Sequence, residues 1–487
     1  MRTSRSLIII GGGPAGMAAA IEAARAGLNL TLIDEAPRLG GQVYRRPPEA
    51  SRVEDAERLG RDFARGERLR AEFSEIAERV EILSGTSVLG VWPDREVLWA
   101  RDDVSGVFRA ERLIIAGGAY DRPVPFPGWT LPGVMTAGGV QVLMKTMRVR
   151  PGRRALVAGT GPLIVGVAHR LHDLGVEVVS VLEAGDHRWV SGGVTAATNE
   201  WDTIGDVRSS LEALGRAGIP LLFNHTIFEA EGADAVEAAT YGPVDAEAWQ
   251  PRKDRPRRVE VDLVVTGFGF VPNTELTTLA GCRHHHAPEL GGWVPVRDAL
   301  MQTTVPGVFA VGDGAGIGGV LVALEEGRIA GITAAELAGT ISADEASGRR
   351  AGPIDRLLSL AEVRALLGEI SQIKPGLLEL ASPETLACRC EEVSFAEVRA
   401  AVDEGAKDLQ AVKLFTRLGM GPCQGRNCAS HVGMHLCQAT GRVPEEVGRI
   451  TPRPPAKPVT LGALAAMEGV AQTAAADPLD AVGGGAS

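Results

Sequence analysis

The hydrophobic pattern opens on a short aliphatic run, Leu7 to Ile10, and breaks at once into GGGPAG. The small apolar stretch MAAAIEAARAG follows, and NLTLID then returns to an apolar run that ends on a carboxylate. Strand, glycine turn, helix and strand in that order predict one βαβ unit of a doubly wound sheet. The order recurs in RALVAGTGPLIVGVAHRLHDLGVEVVSVLEA, residues 154 to 183, which closes on Glu183. Such recurrence marks an internal repeat of one supersecondary unit. Further strands are predicted in LIIAGGA at 113 to 119, in DLVVTGFGFVPNTEL at 262 to 276, and in VPGVFAVGDGAG at 305 to 316.

Other stretches have helical or irregular patterns. Residues 46 to 80 are charged and helical in pattern, an excursion on the surface of the first domain whose charges read as a solvated face. Residues 341 to 384 read as a connection carrying two short amphipathic segments. SFAEVRAAVDEGAKDLQAVKLFTRLGMG predicts two short helices, with Ser394 as N-cap, Glu397 completing a capping box, and Val398, Val402 and Leu409 on the inner face. After Pro452 the chain is rich in Pro, Ala and Gly, which predicts disorder toward its end.

Composition narrows the class. The 487 residues are enough for two to four domains; 45% are hydrophobic and 61 are glycine, as in a turn-rich globular enzyme. A net charge of −11 and 4% aromatic residues exclude a basic or base-stacking nucleic-acid surface. RTSRSLIII imitates the start of an export signal, but its continuation GGGPAG has no helical apolar region, so it reads as a strand in a cytoplasmic protein. No apolar run reaches 18 residues free of charges and breakers, which predicts no transmembrane segment.

In the first repeat Gly11, Gly13 and Gly16 match a dinucleotide fingerprint, with Pro14 and Ala15 between them. Gly11 permits the tight turn, Gly13 the approach of a pyrophosphate, and Gly16 close packing of helix on strand, while the helix N-terminus supplies N–H groups. Asp34 is placed to accept ribose hydroxyls, with Glu35 as the register alternative. Gly41 and Gln42 in LGGQ, and Gly312 and Asp313 in the late GD pair, complete a pattern that resembles the flavoproteins with two dinucleotide-binding domains. That resemblance covers residues 1 to about 340. It implies an α/β fold with FAD bound by these residues, the ribityl chain and phosphate being held by Asp313. It also implies an inserted domain that binds NAD(P)H. In that insert Gly159 and Gly161 make the turn and Glu183 would favour NAD, but Ile164 stands at the third fingerprint position, so a retained fold without a nucleotide is equally open. The boundaries expected are an FAD domain at 1–128 and 275–345, an insert at 129–274, a linker at 346–384, a cysteine module at 385–440 and a tail at 441–487.

The six cysteines add a second chemistry. Residues 1 to 281 contain none, so the flavin-proximal dithiol of disulfide reductases is missing. Cys388 and Cys390 form CxC, and Cys423 and Cys428 form CxxxxC. Four thiolates suit structural zinc and a 2Fe-2S cluster equally, and a small helical module needs such a staple. A disulfide is disfavoured in a cytosolic chain. GMGPCQGRNC resembles the bacterioferritin-associated-ferredoxin-like 2Fe-2S domain, departing from its plain form, which has CxxC in the second pair. That resemblance, with a flavin otherwise lacking an electron outlet, favours iron–sulfur. Cys282 and Cys437 read as ordinary packing residues, and RHHH at 283 to 286 as a solvated loop.

The whole order, to about residue 440, resembles the larger electron-handling subunits of heteromeric opine oxidases, hydroxyproline and proline dehydrogenases and hydrogen cyanide synthase. The resemblance implies a smaller glycine-oxidase-like FAD subunit that holds the amine substrate. It allows FMN between subunits and a small ferredoxin-like partner. It also implies electron delivery to an acceptor other than O₂. No acid, base or nucleophile set marks a catalytic residue in this chain. Two alternatives stay open: a self-contained NAD(P)H-dependent reductase, and a zinc-containing non-catalytic binding subunit.

Overall fold

The computed structural model describes residues 3–48, 61–187, 189–190 and 201–467. Its first sheet is built around β1 (Thr3–Ile10), which pairs in parallel with β2 (Leu30–Ile33) on one side and with β6 (Val104–Ile115) on the other. With β3 (Val80–Leu83), β4 (Ser87–Val91) and β5 (Glu96–Arg101) the order is β3-β2-β1-β6-β5-β4, and Val308–Ala310 adds to the C-terminal end of β6. Leu7, Ile8 and Ile9 have no exposed surface, which is why this strand is uniformly apolar instead of alternating. Helix α1 (Pro14–Arg25) lies on one face, against the long helix at Gly319–Ala338. The two helices touch backbone to backbone. A Cβ on Gly327 or Gly331 would collide with the carbonyl oxygen of Ala15 or Ala19, so the alanine- and glycine-rich pattern is a packing requirement. Of the charged excursion, the helix at Arg61–Ser74 is present; residues 49 to 60 lie outside the described residues.

The insert forms a second, all-parallel sheet of β7 (Val134–Thr136), β8 (Arg154–Gly159), β9 (Glu177–Glu183), β10 (Leu221–Phe223) and β11 (Leu263–Gly267), in the order β10-β9-β8-β11-β7. Helix α2 (Pro162–Asp173) follows β8 as the repeat predicts. The chain enters and leaves the insert along an antiparallel pair, Ala119–Asp121 with Phe270–Pro272.

Two sequence expectations change here. Residues 346 to 384 are not a loose connection. The helix Ala343–Ser359 packs against Gly319–Ala338 through an Arg350–Glu336 ion pair, and α3 (Ala361–Ile370) then runs to the insert. Six of its ten residues are apolar in AEVRALLGEI, in keeping with one of the amphipathic segments expected in this stretch. RHHH is not a solvated loop either: His284–Ala287 is a strand paired with Gly292–Pro295, and His284 Nε2 lies 2.9 Å from the Thr277 hydroxyl. The tail is structured to Met467, where Ala463 is fully buried with Leu89 and Ala100; its end, residues 468 to 487, for which disorder is expected, lies outside the described residues.

The cysteine module is a small two-stranded hairpin, Leu386–Cys388 with Val393–Ser394, followed by α4 (Phe395–Asp403), α5 (Leu409–Thr416) and α6 (Ala429–Thr440). The capping box at Ser394 and Glu397 is present. The core holds Val398, Leu409, Val412, Val432 and Leu436, together with Cys388 and Cys428. Among the described residues, no helix is long and apolar enough to cross a membrane.

Candidate functional site: two fingerprint loops and a cysteine quartet

The first fingerprint loop is open at its tip and closed at its root. Gly11 adopts φ +103°, and a Cβ there would strike the Ala116 carbonyl oxygen. A Cβ on Gly16 would strike the Gly11 carbonyl oxygen and stand 3.4 Å from Ile9 Cγ2, which is the close helix–strand contact expected. Gly13 caps α1 without any side-chain acceptor, so the first-turn N–H groups are left for a ligand. Pro14 stands at the helix start, Ala15 packs beneath, and Gly41 brings its backbone against Gly13.

Asp34 closes the loop at the end of β2. Its carboxylate accepts from the Gly12 N–H and, at 2.6 Å, from the Ala36 N–H. Burial pushes its pKa up, opposed by those two donors and by Lys457. Glu35 is exposed and pairs with Lys457. Gln42, also exposed, accepts from Arg45.

Gly312 and Asp313 reach the same end of the sheet from the other side. The Gly312–Ala315 turn packs on residues 117 and 118: a Cβ on Gly314 would stand 3.1 Å from Gly118 N. The Asp313 carboxylate accepts from Gly318 N and Gly319 N, both at 3.0 Å, at the start of the long helix. Beneath this turn lies a group that no sequence motif marks. Glu326 is 1% exposed, accepts from Gly312 N at 2.8 Å, and is clamped by Arg297 at 2.6 and 2.8 Å. The residues present thus fit a dinucleotide with an adenosine ribose at Asp34.

The second fingerprint loop has the same backbone and a different fate. Gly159 turns at φ +159° and Gly161 at +79°. At the third position Ile164 is fully buried, its bulk taken up by glycines: Ile164 Cγ2 lies 2.8 Å from a Cβ built on Gly159 and 2.7 Å from one built on Gly267. Glu183 is more deeply buried than Asp34. It has no exposed surface, and its two oxygens accept from Gly161 N at 2.7 Å and Gly185 N at 2.8 Å, while burial raises its pKa to about 7. The end of α3 lies on the loop. The Thr160 hydroxyl donates to the Ile370 carbonyl at 2.9 Å, and Ile370 Cγ2 stands 3.0 Å from a Cβ built on Gly161.

The four cysteines lie in one module, Cys388 and Cys428 buried in its core and Cys390 and Cys423 half-buried. Each thiol's ionisation depends on a neighbour, Cys388 on Cys428 and Cys390 on Cys423. The Cys428 contact, with backbone N–H groups of Gly419 and Glu391, holds Cys388 down to about 5, and the same contact with burial drives Cys428 up. Gly421 lets the second loop approach: a Cβ there would stand 2.6 Å from Cys390 Cβ. Among the described residues, no three or more His, Cys, Asp or Glu converge as one metal ion would require. Cys282 and Cys437 take no part in these pairs.

The quartet is joined to the hinge of the flavoprotein body. Arg426, between Cys423 and Cys428, pairs with Glu275 at 3.2 Å. Tyr120, on the strand entering the insert, has its pKa raised by burial first and then by Glu275, and it also feels Cys423. Only Ala119 separates Tyr120 from the Gly117–Gly118 backbone that packs on the Gly312–Ala315 turn. Neither Tyr120 nor Glu275 belongs to a motif, so no sequence signal points to them.

A doubly wound fingerprint fold enclosing a second one, with no dithiol beside the first, defines an oxidoreductase of the flavoprotein type. The family model "Pyridine nucleotide-disulphide oxidoreductase" matches residues 5–339, and "Sarcosine oxidase A3 domain" matches residues 385–468, the cysteine module and the start of the tail. Hydrogen cyanide synthase subunit HcnB of Pseudomonas aeruginosa is 37% identical, over 94% of this chain and 97% of its own length. An opine oxidase subunit of Rhizobium meliloti is 36% identical, over 94% and 98%. The chain belongs to this family of oxidoreductase subunits. L-proline dehydrogenase from P. horikoshii shares the fold, with a TM-score of 0.68 at 23% identity, covering 95% of this chain and 80% of that one.

Proposed function

We propose that this chain is the electron-transfer subunit of a heteromeric flavin-dependent dehydrogenase that oxidises a C–N bond of an amino acid or opine. In this reading the amine is bound by a partner, a smaller glycine-oxidase-like FAD subunit, FMN can lie between subunits, and a small ferredoxin-like subunit can complete the assembly. The observation that carries it is the contact of the cysteine loop with the flavoprotein body where the chain leaves the insert, through the Arg426–Glu275 ion pair. FAD would supply two-electron acceptance with single-electron release, and a 2Fe-2S cluster at Cys388, Cys390, Cys423 and Cys428 a one-electron outlet.

Iron–sulfur is preferred to zinc because a flavin fold with no cysteine in its first 281 residues needs a one-electron outlet, which a zinc site would not supply. The BFD-like character of the module is part of this proposal.

The buried Glu183 and the α3 end on the second loop weigh against the NAD(P)H-dependent reductase. The test is purification with the accompanying subunits, followed by flavin extraction and iron and acid-labile sulfide analysis of wild type and Cys423→Ser. Expected are FAD and iron in the wild type, and FAD without iron in the variant. Zinc in place of iron, or flavin bleaching by NADH in the isolated chain, would overturn the reading.

A further inference from the structure

The tail holds a lysine that neither fingerprint nor quartet explains. Lys457 is brought across 422 residues of sequence to pair with Glu35, beside Asp34. A strap, residues 453 to 460, holds it there. On one side the Ala456 N–H donates to the Leu89 carbonyl at 2.6 Å, and the Thr460 hydroxyl bonds Asp102 O at 3.0 Å and the Asp103 carboxylate at 2.8 Å, all on the first domain. On the other, the Gln424 side-chain amide donates to Pro455 O at 2.8 Å and Arg426 to Ala456 O at 2.9 Å. Gln424 and Arg426 both lie between Cys423 and Cys428. One segment therefore bridges the cysteine loop and the carboxylates at the end of β2.

We propose that Lys457 is a positioning residue of the first nucleotide site, and that the strap couples the state of the cysteine loop to the affinity of that site for an adenosine dinucleotide. The ribose end of such a ligand meets Asp34, where Glu35 adds a second negative charge. Lys457 offsets that charge and fixes Glu35 away from the ribose hydroxyls, and Gln424 and Arg426 share in holding the strap that carries it. Because coupling between binding sites is reciprocal, nucleotide binding tightens the cysteine loop in turn.

The inference rests on FAD occupying the first site, and its test separates the two. In the full-length holoprotein, release of FAD on dilution is followed by flavin fluorescence, with iron content and unfolding midpoint measured alongside. Lys457→Met is expected to speed release about tenfold, the size of one charge-assisted contact, with Lys457→Arg restoring most of the loss. Gln424→Leu, remote from Asp34, is expected to speed release about threefold with iron content unchanged. Holoprotein without FAD overturns the underlying reading. FAD held equally well by wild type and Lys457→Met overturns the role of Lys457 alone, and an unchanged rate in Gln424→Leu overturns the coupling.

Discussion

The two fingerprint loops start from one grammar and end in opposite states. In the first, the acid at the end of the second strand is an aspartate that reaches Gly12, and the tip of the loop stays accessible at Gly13 and Pro14. In the second, a glutamate one methylene longer reaches Gly161, occupies its N–H, and disappears from the surface. Both loops need a small residue where helix meets strand. The first places it on the helix as Gly16. The second places Ile164 there and moves the glycines to the strand ends, at Gly159 and Gly267. The packing contact is thus kept in both loops while the tip of the second is covered at Gly161, so a fold shared by both halves does not fix a shared function.

Transplanting one feature into the other loop breaks the comparison most sharply. Gly16→Ile adds to the first helix the side chain the second tolerates, but the Gly11 carbonyl already meets any Cβ at that position. The expected cost exceeds about 4 kcal/mol, with loss of FAD, read by denaturant unfolding and flavin retention. Next in size is Glu326→Ala. It strands the Arg297 guanidinium, 13% exposed, and frees the Gly312 turn. The expected destabilisation is about 3–5 kcal/mol, because an uncompensated charge remains buried. An unfolding curve unchanged within error would show that the turn does not depend on this clamp.

The first loop is legible in the sequence because each of its parts is a local pattern: strand, three glycines, helix, strand, acid. Cys388, Cys390, Cys423 and Cys428 are legible because thiols at close spacing carry their own chemistry. The state of the second loop is not. Ile164 signals a departure, but the closure comes from Ile370 and Thr160, which are 210 residues apart and belong to no motif. The docking of the tail's first part is hidden for a related reason. Its Pro- and Ala-rich composition lacks the apolar content of a core element, yet Ala463 and Lys457 dock on surfaces supplied by residues 35 to 105. Long-range contacts made by single residues leave no periodicity to read.

Acid–base behaviour gives the buried carboxylate of the second loop its own signature. Glu183 titrates at about 7 in the fold against an ordinary value of 4.5, so the folded state holds the extra proton. Its contribution to stability is therefore largest below pH 4.5 and is lost as pH rises through 7, by roughly 3 kcal/mol. Glu183→Gln removes that slope. Urea unfolding at pH 5 and at pH 8 should show a smaller difference in the variant than in wild type, and equal slopes would contradict the buried, proton-binding carboxylate.

The gentlest intervention is at the end of α3. Ile370→Ala withdraws the side chain that stands over Gly161 while keeping the carbonyl that accepts from Thr160. Because Ile370 is only partly buried, the expected loss is roughly 1–2 kcal/mol, read as a lower unfolding midpoint. NADH should still fail to bleach the flavin in this variant, because Glu183 continues to occupy the Gly161 N–H and Ile164 still fills the space between Gly159 and Gly267. Rapid bleaching would instead mean that one side chain separates the two loops, and that the insert keeps a nucleotide site beneath a removable cover.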